Sequence, residues 1–228
     1  MNPIALDLFD AYKSNLTKTG NNPELKDIIL CPLCLKEIKR EEIVKGDVAL
    51  EHIIPAHSTG EKAQKTDFTK ISVKNVRSGL TITCSKCNSK KGSKLDWVLR
   101  NRITPGSQNA KNGYSFTSGV AILVYAYLFS FAVFGYEYIL KDELIEIRKQ
   151  FSDIDNYHTK YLEYAQVNLN DPEQPIVCNE WGYPLIMGET KNGDLEIYFW
   201  KFRARLPSIS GLNQLIEIPQ SIKKLTDE

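Results

Sequence analysis

Two matched cysteine pairs, Cys31-Pro-Leu-Cys34 and Cys84-Ser-Lys-Cys87, are the residues whose types and spacing point most directly to chemistry. Two residues between thiolates let both sulfurs of a tight turn face one ion about 2.3 Å away. Two such knuckles complete the four ligands of a closed tetrahedral zinc site. A disulfide framework is the alternative, and it is disfavoured because the N-terminal stretch "MNPIALDLFDAYKSNL" has no secretory pattern. A thioredoxin-like role for one pair leaves the other unexplained, whereas one metal site uses all four thiols. Cys178 has no partner in the sequence and reads as a buried apolar thiol.

The gap between the pairs, Leu35 to Thr83, is far longer than the roughly 15–20 residues of a compact zinc ribbon. A substantial insert therefore lies between the knuckles, and it holds the second candidate group. Of three histidines, His52 and His57 both fall in "ALEHIIPAHSTG", the first directly after Glu51. Taken alone, a histidine in an apolar strand is ordinarily a core residue, and an asparagine after a cysteine is ordinarily a turn or cap.

The elements that must position these groups can be read from pattern. "VALEHIIP" is β-branched and apolar and is stopped by Pro55, so it reads as a strand. "GLTITC" reads as a second strand leading into the second knuckle. The segment from Asn88 then takes a helical period through Leu95, Val98, Leu99 and Arg102. Asn88 is expected at or near that helix's start, placed to cap it or to bind a cation.

That order, carried by "CPLC", "LEHIIP", Asn75 in "VKNVRSGLTITC" and "CSKCNSKKG", resembles the HNH endonucleases and their ββα-metal fold. The resemblance covers about residues 31–95. It implies that His52 is the general base, that Glu51 is an acidic ligand of a catalytic divalent ion and that Asn88 is the second protein ligand. Asn75 matches the motif's middle asparagine, which holds the loop and helps to orient the base. The implied cofactors are a structural Zn²⁺ on Cys31, Cys34, Cys84 and Cys87 and a catalytic Mg²⁺ or Mn²⁺. A histidine of ordinary pKa is largely deprotonated at neutral pH and can take a proton from water. A divalent ion on hard oxygen ligands suits phosphate chemistry as a Lewis acid. Adjacent strand positions face opposite sides, so Glu51 and His52 serve one centre only where the strand bends. His57 stays ambiguous, and His158 reads as structural.

Net charge is only +1, so the whole-chain balance implies no nucleic-acid partner. Its distribution is more informative. Lys86, Lys90, Lys91, Lys94, Arg100 and Arg102 face a single acid, Asp96, in their stretch, whereas residues 141–196 are predominantly acidic. A basic working surface on an acidic body is the reading. Lys74, Arg77, Lys86, Lys90, Lys91 and Lys94 are the expected phosphate contacts, which set affinity and carry little sequence information.

The rest of the chain reads as support. "IALDLFDAYKSNL" is an amphipathic helix, residues 116–151 are one long or two shorter helices, and "KNGD" at Asn192-Gly193 marks a β-hairpin over 183–202. The run "VAILVYAYLFSFAVF" is long enough to span a bilayer but lacks basic flanks, so it is read as a buried helix. The expectation is an α+β chain divided at 1–30, 31–105 and 106–228. It has a ββα-metal core stapled by a four-cysteine zinc site, then a helical segment and a C-terminal β-hairpin region. The expected activity is that of a metal-dependent endonuclease or nickase acting on DNA in the cytoplasm, with RNA left open and no membrane. Family analogy places it in restriction or anti-phage defence, with residues 106–228 free to meet a protein partner or activator. The competing readings are a non-catalytic zinc-stabilised nucleic-acid-binding module and a membrane-associated protein.

Overall fold

A computed structural model describes residues 3–20, 27–53, 80–92, 95, 116–152, 165–167, 185–189, 192–199 and 202–208. The chain is α+β, with short antiparallel sheets set around helices. Helix α1 spans Pro3–Lys18 and opens on proline, whose fixed φ and missing N–H suit a first helical position. Its buried residues Ala5, Leu8, Phe9, Tyr12, Asn15 and Leu16 recur at helical spacing, and this face lies on the knuckle region and on β4.

Strands β1 (Ile28–Leu30) and β2 (Glu37–Lys39) form a hairpin whose tip is the first cysteine pair. Helix α2 (Arg40–Lys45) leads into β3 (Val48–His52). Strand β3 pairs antiparallel with β4 (Leu80–Cys84), Glu51 opposite Thr81 and His52 opposite Leu80. Helix α3 (Ser85–Lys91) follows β4 without a loop and packs on both strands. Its start is three residues earlier than the sequence pattern implies, because Cys84 ends the strand and caps the helix at once. Asn88 is thus inside the helix and cannot cap it, a correction to the sequence reading.

The apolar run forms α4 (Phe116–Phe134), where every residue from Ala121 to Phe131 is buried. It is enclosed by protein: β4, β5 (Ala165–Val167), β8 (Phe202–Leu206), α5 (Tyr136–Ile139) and α6 (Asp142–Ser152) all pack on it. Among the described residues no helix is long and apolar enough to cross a membrane. The break after α4 is made by Gly135 at φ +71° and ψ −155°, a conformation essentially restricted to glycine.

The hairpin expected around Asn192-Gly193 is present as β6 (Leu185–Glu189) and β7 (Leu195–Phe199), with Gly193 at φ +86°. It is the edge half of a four-stranded sheet in the order β5-β8-β7-β6. Buried residues of α1, the knuckles, the β3–β4 pair, α4 to α6 and this sheet form one continuous core.

Candidate functional site

The first knuckle is built by backbone hydrogen bonds. Cys31 N–H donates to the Lys36 carbonyl and Leu35 N–H to the Cys31 carbonyl, both at 2.8 Å. The turn closes because Leu35 takes φ +58°, uncommon for a residue with a Cβ. Leu33 is buried in the core, and the Tyr127 hydroxyl of α4 donates to the Pro32 carbonyl at 2.6 Å, so the knuckle is pressed onto the central helix. The second knuckle joins β4 to α3, Cys84 at the cap and Cys87 in the first turn.

The four sulfurs lie within 4.8 Å of one another, and Cys34 Sγ is 3.7 Å from Cys84 Sγ. A tetrahedral ion with bonds of about 2.3 Å requires sulfurs about 3.8 Å apart. The cluster therefore fits a metal ion such as zinc in donor type and in spacing. Cys84 N–H also points at Cys31 Sγ, 3.5 Å away. Hydrogen bonding to Cys34, then to Cys84 and Cys87, together with burial, drives the Cys31 thiol far above its ordinary range. Bonding to Cys31 in turn lowers Cys34 to about 6 and Cys84 to about 4. Cys34 and Cys84 are thus pushed towards the thiolate, the ligand form that a metal requires, while Cys31 is held as the thiol. Cys31, Cys84 and Cys87 are buried and Cys34 is exposed, beside a cleft of about 520 Å³ that Lys86 and Lys90 also line.

The catalytic candidates are distributed around the same ββα unit. Glu51 and His52 are consecutive positions of β3, whose antiparallel register continues through both. Asn88 is half-buried on α3. Glu51 is buried, and its Oε1 accepts a hydrogen bond from Lys91 Nζ at 2.6 Å. Lys91 is fully buried, and its ammonium stands 5.0 Å from the centroid of the Tyr125 ring of α4. This corrects the expectation for Lys91: its charge is turned inward to Glu51 and is not offered to a phosphate at the surface. Lys91 and Asn88, three residues apart on α3, share a helix face, so Asn88 lies on the side of α3 that meets Glu51. Thr81 and Thr83 share the hairpin face of Glu51. Thr81 Oγ1 accepts from the Tyr12 hydroxyl at 3.2 Å. Thr83 Oγ1 is buried with no hydrogen-bond partner among the described residues.

For a hard divalent ion, Glu51 and Asn88 fit in donor type. In charge the pair falls short, because the ammonium of Lys91 already matches the carboxylate. Among the other expected phosphate contacts, Lys86 is exposed. Lys90 donates to the Ser152 carbonyl at the end of α6 and lies 5.5 Å from the Phe151 ring centroid. Asn75, Lys74, Arg77, Lys94, His57 and His158 lie outside the described residues, as does Cys178. What sequence reasoning missed is the Glu51–Lys91–Tyr125 contact. Its only trace in the chain is a lysine at the end of a short basic helix.

Comparison with known proteins found no matching family model, no matching curated relative and no matching solved structure.

Proposed function

We propose that this chain is a metal-dependent endonuclease or nickase of the HNH type, hydrolysing phosphodiester bonds in DNA. One observation carries the reading. A β-hairpin bearing Glu51-His52 runs through Cys84 directly into a helix bearing Asn88, and the four-cysteine cluster clamps that junction to the first knuckle. A general base, an oxygen ligand on the strand and a second on the helix are the residue types that phosphodiester hydrolysis needs.

In this mechanism His52 takes the proton of the attacking water, and Asn75 orients the imidazole. Glu51 and Asn88 are the residues that would hold a Mg²⁺ or Mn²⁺ ion, which would supply Lewis acidity to the phosphate and leaving oxygen. The four cysteines fix the angle between α3 and the hairpin, on which the distance between Glu51 and Asn88 depends. Lys86, exposed at the edge of the cleft, supports phosphate positioning without base readout.

The test is cleavage of supercoiled plasmid with Mg²⁺, Mn²⁺ or EDTA by the wild type and by His52→Ala, matched for zinc content and melting. The expected outcome is metal-dependent nicking or linearisation that falls by at least ~10²-fold in the variant, the usual weight of a general base. Binding of DNA without cleavage would select the zinc-stabilised binding module instead, which needs the cysteines and the basic helix alone. Equal cleavage by both proteins would remove His52 from the site.

A further inference from the structure

We infer that Cys34 is a site of oxidative modification, the sulfur at which a peroxide enters the four-cysteine cluster and unloads its metal; this rests on the zinc reading of the cluster and is independent of the nuclease reading. Access sets the order of attack, because susceptibility to oxidation follows thiolate character and exposure. Cys31, Cys84 and Cys87 are 0%, 9% and 5% exposed, whereas Cys34 is exposed. The turn accounts for the difference. Leu33 is buried in the core and the Pro32 carbonyl is held by Tyr127, which leaves Cys34 on the outer side of the knuckle.

Cys34 borders the cleft of about 520 Å³, as do the more deeply buried Cys84 and Cys87. Among the described residues Lys36, Lys86 and Lys90 line that cleft together with Glu37, Glu42 and Asp47, so neither charge is in excess. A small neutral oxidant of the hydroperoxide class therefore enters without a charge penalty.

In the metal-bound cluster the sulfurs are thiolates. The Cys34 thiolate attacks one oxygen of hydrogen peroxide: an S–O bond forms, the O–O bond breaks and the second oxygen leaves as hydroxide. Cys34 is then a sulfenic acid. Cys84 Sγ, 3.7 Å from Cys34 Sγ, is the thiolate placed to attack that sulfur next, forming an S–S bond and expelling a second hydroxide. Two thiolates are oxidised by two electrons to one disulfide, and one peroxide is reduced to two hydroxides, which take protons from solvent. Cys31 and Cys87 remain, and two thiolates are too few for a closed four-ligand site. Cys84 is where β4 passes into α3, so the same reaction that removes the metal acts on the junction that the cluster clamps. The two knuckles stay covalently joined, and a dithiol reductant supplied with zinc restores the cluster.

The experiment treats the full chain, its zinc content measured first, with hydrogen peroxide. Released zinc is followed with a chromogenic chelator, and the order in which the four cysteines are modified is mapped by alkylation and mass spectrometry. The wild type is compared with Cys34→His, which keeps four ligands as three thiolates and an imidazole and removes the exposed sulfur. We expect zinc release from the wild type in step with a Cys34–Cys84 disulfide, and renewed zinc binding after reduction. We expect release at least ~10-fold slower from Cys34→His, since the sulfurs that remain are buried.

First modification at Cys31, Cys84 or Cys87 with Cys34 intact, or equal release from both proteins, overturns the inference. A first disulfide from Cys34 to Cys31 supports entry at Cys34 and overturns the part given to Cys84. A wild type that keeps its zinc and its thiols under peroxide overturns the inference and leaves the zinc reading standing, whereas purified protein without zinc overturns both. Should Cys34→His fail to hold zinc, the order of modification in the wild type decides alone.

Discussion

Cys31 is buried at the start of the first knuckle, with the sulfurs of Cys34, Cys84 and Cys87 as neighbours. A cluster of this kind is stable either as thiols sharing protons or as thiolates around an ion, and its spacing matches the second. Cys31→Ser is expected to lose bound zinc and, with it, cooperative unfolding, since structural zinc contributes on the order of 10–16 kcal/mol in small zinc peptides. Elemental analysis together with calorimetry checks this. The Glu51–Lys91 pair gives a second prediction at this scale. Lys91→Met alone strands a buried carboxylate and should cost roughly 3–5 kcal/mol, whereas Glu51→Leu with Lys91→Met should recover most of that loss. Urea unfolding of the two single variants and the double variant measures it, and equal losses in the single and double variants would contradict it.

At the scale of elements, the turn from α4 into α5 depends on one glycine. A Cβ on Gly135 would stand 2.2 Å from Asn15 Oδ1, the atom that accepts the Tyr136 N–H at 2.6 Å. Asn15 is itself buried, so α1 caps α5 across the core. Gly135→Ala therefore combines a strained backbone with a displaced cap. We expect a loss of roughly 2–5 kcal/mol by denaturant unfolding, from backbone strain and a buried unpaired donor. The knuckle depends on α4 and α5 in a similar way. Tyr127 reaches the Pro32 carbonyl, and the Tyr136 hydroxyl accepts from Leu30 N–H at 3.0 Å.

Across the whole molecule, these tyrosines belong to one core that joins the knuckle unit to the central helix. Burial pushes the ionisation of Tyr12, Tyr127, Tyr136 and Tyr138 well above the ordinary value of 10. In the unfolded chain they ionise near 10, while the folded chain keeps their protons. The unfolded state then binds fewer protons, so stability falls as pH rises above about 10. The expected result is alkaline unfolding in which these tyrosines ionise together with the loss of structure, read from phenolate absorbance beside circular dichroism. Gradual ionisation within an intact fold would show that they are less buried.

The division of labour between sequence and tertiary structure is plain at particular residues. The cysteine pairs, the strand around Glu51-His52, the helical apolar run and the Asn192-Gly193 turn are all legible in the chain. Each depends on spacing, side-chain period or backbone freedom within a few residues. The helix containing Asn88 is legible too, though its first turn is not, because Cys84 acts as both strand end and cap. Strands β5 and β8, which complete the four-stranded sheet, are not legible, since three to five residues of mixed polarity acquire strand character only from their partners. Lys91 is the clearest case of a fate hidden from the sequence. There it is one more lysine in a basic run, indistinguishable from exposed Lys86. Its burial is decided by the docking of α3 between Glu51, 40 residues earlier, and Tyr125 on the central helix. Local sequence can set two ligands of an ion on one tight turn, because a spacing of two residues brings those thiols together, whereas the two pairs meet only in the fold. Only the packed fold decides which charge faces which, because that contact exists only after distant elements meet.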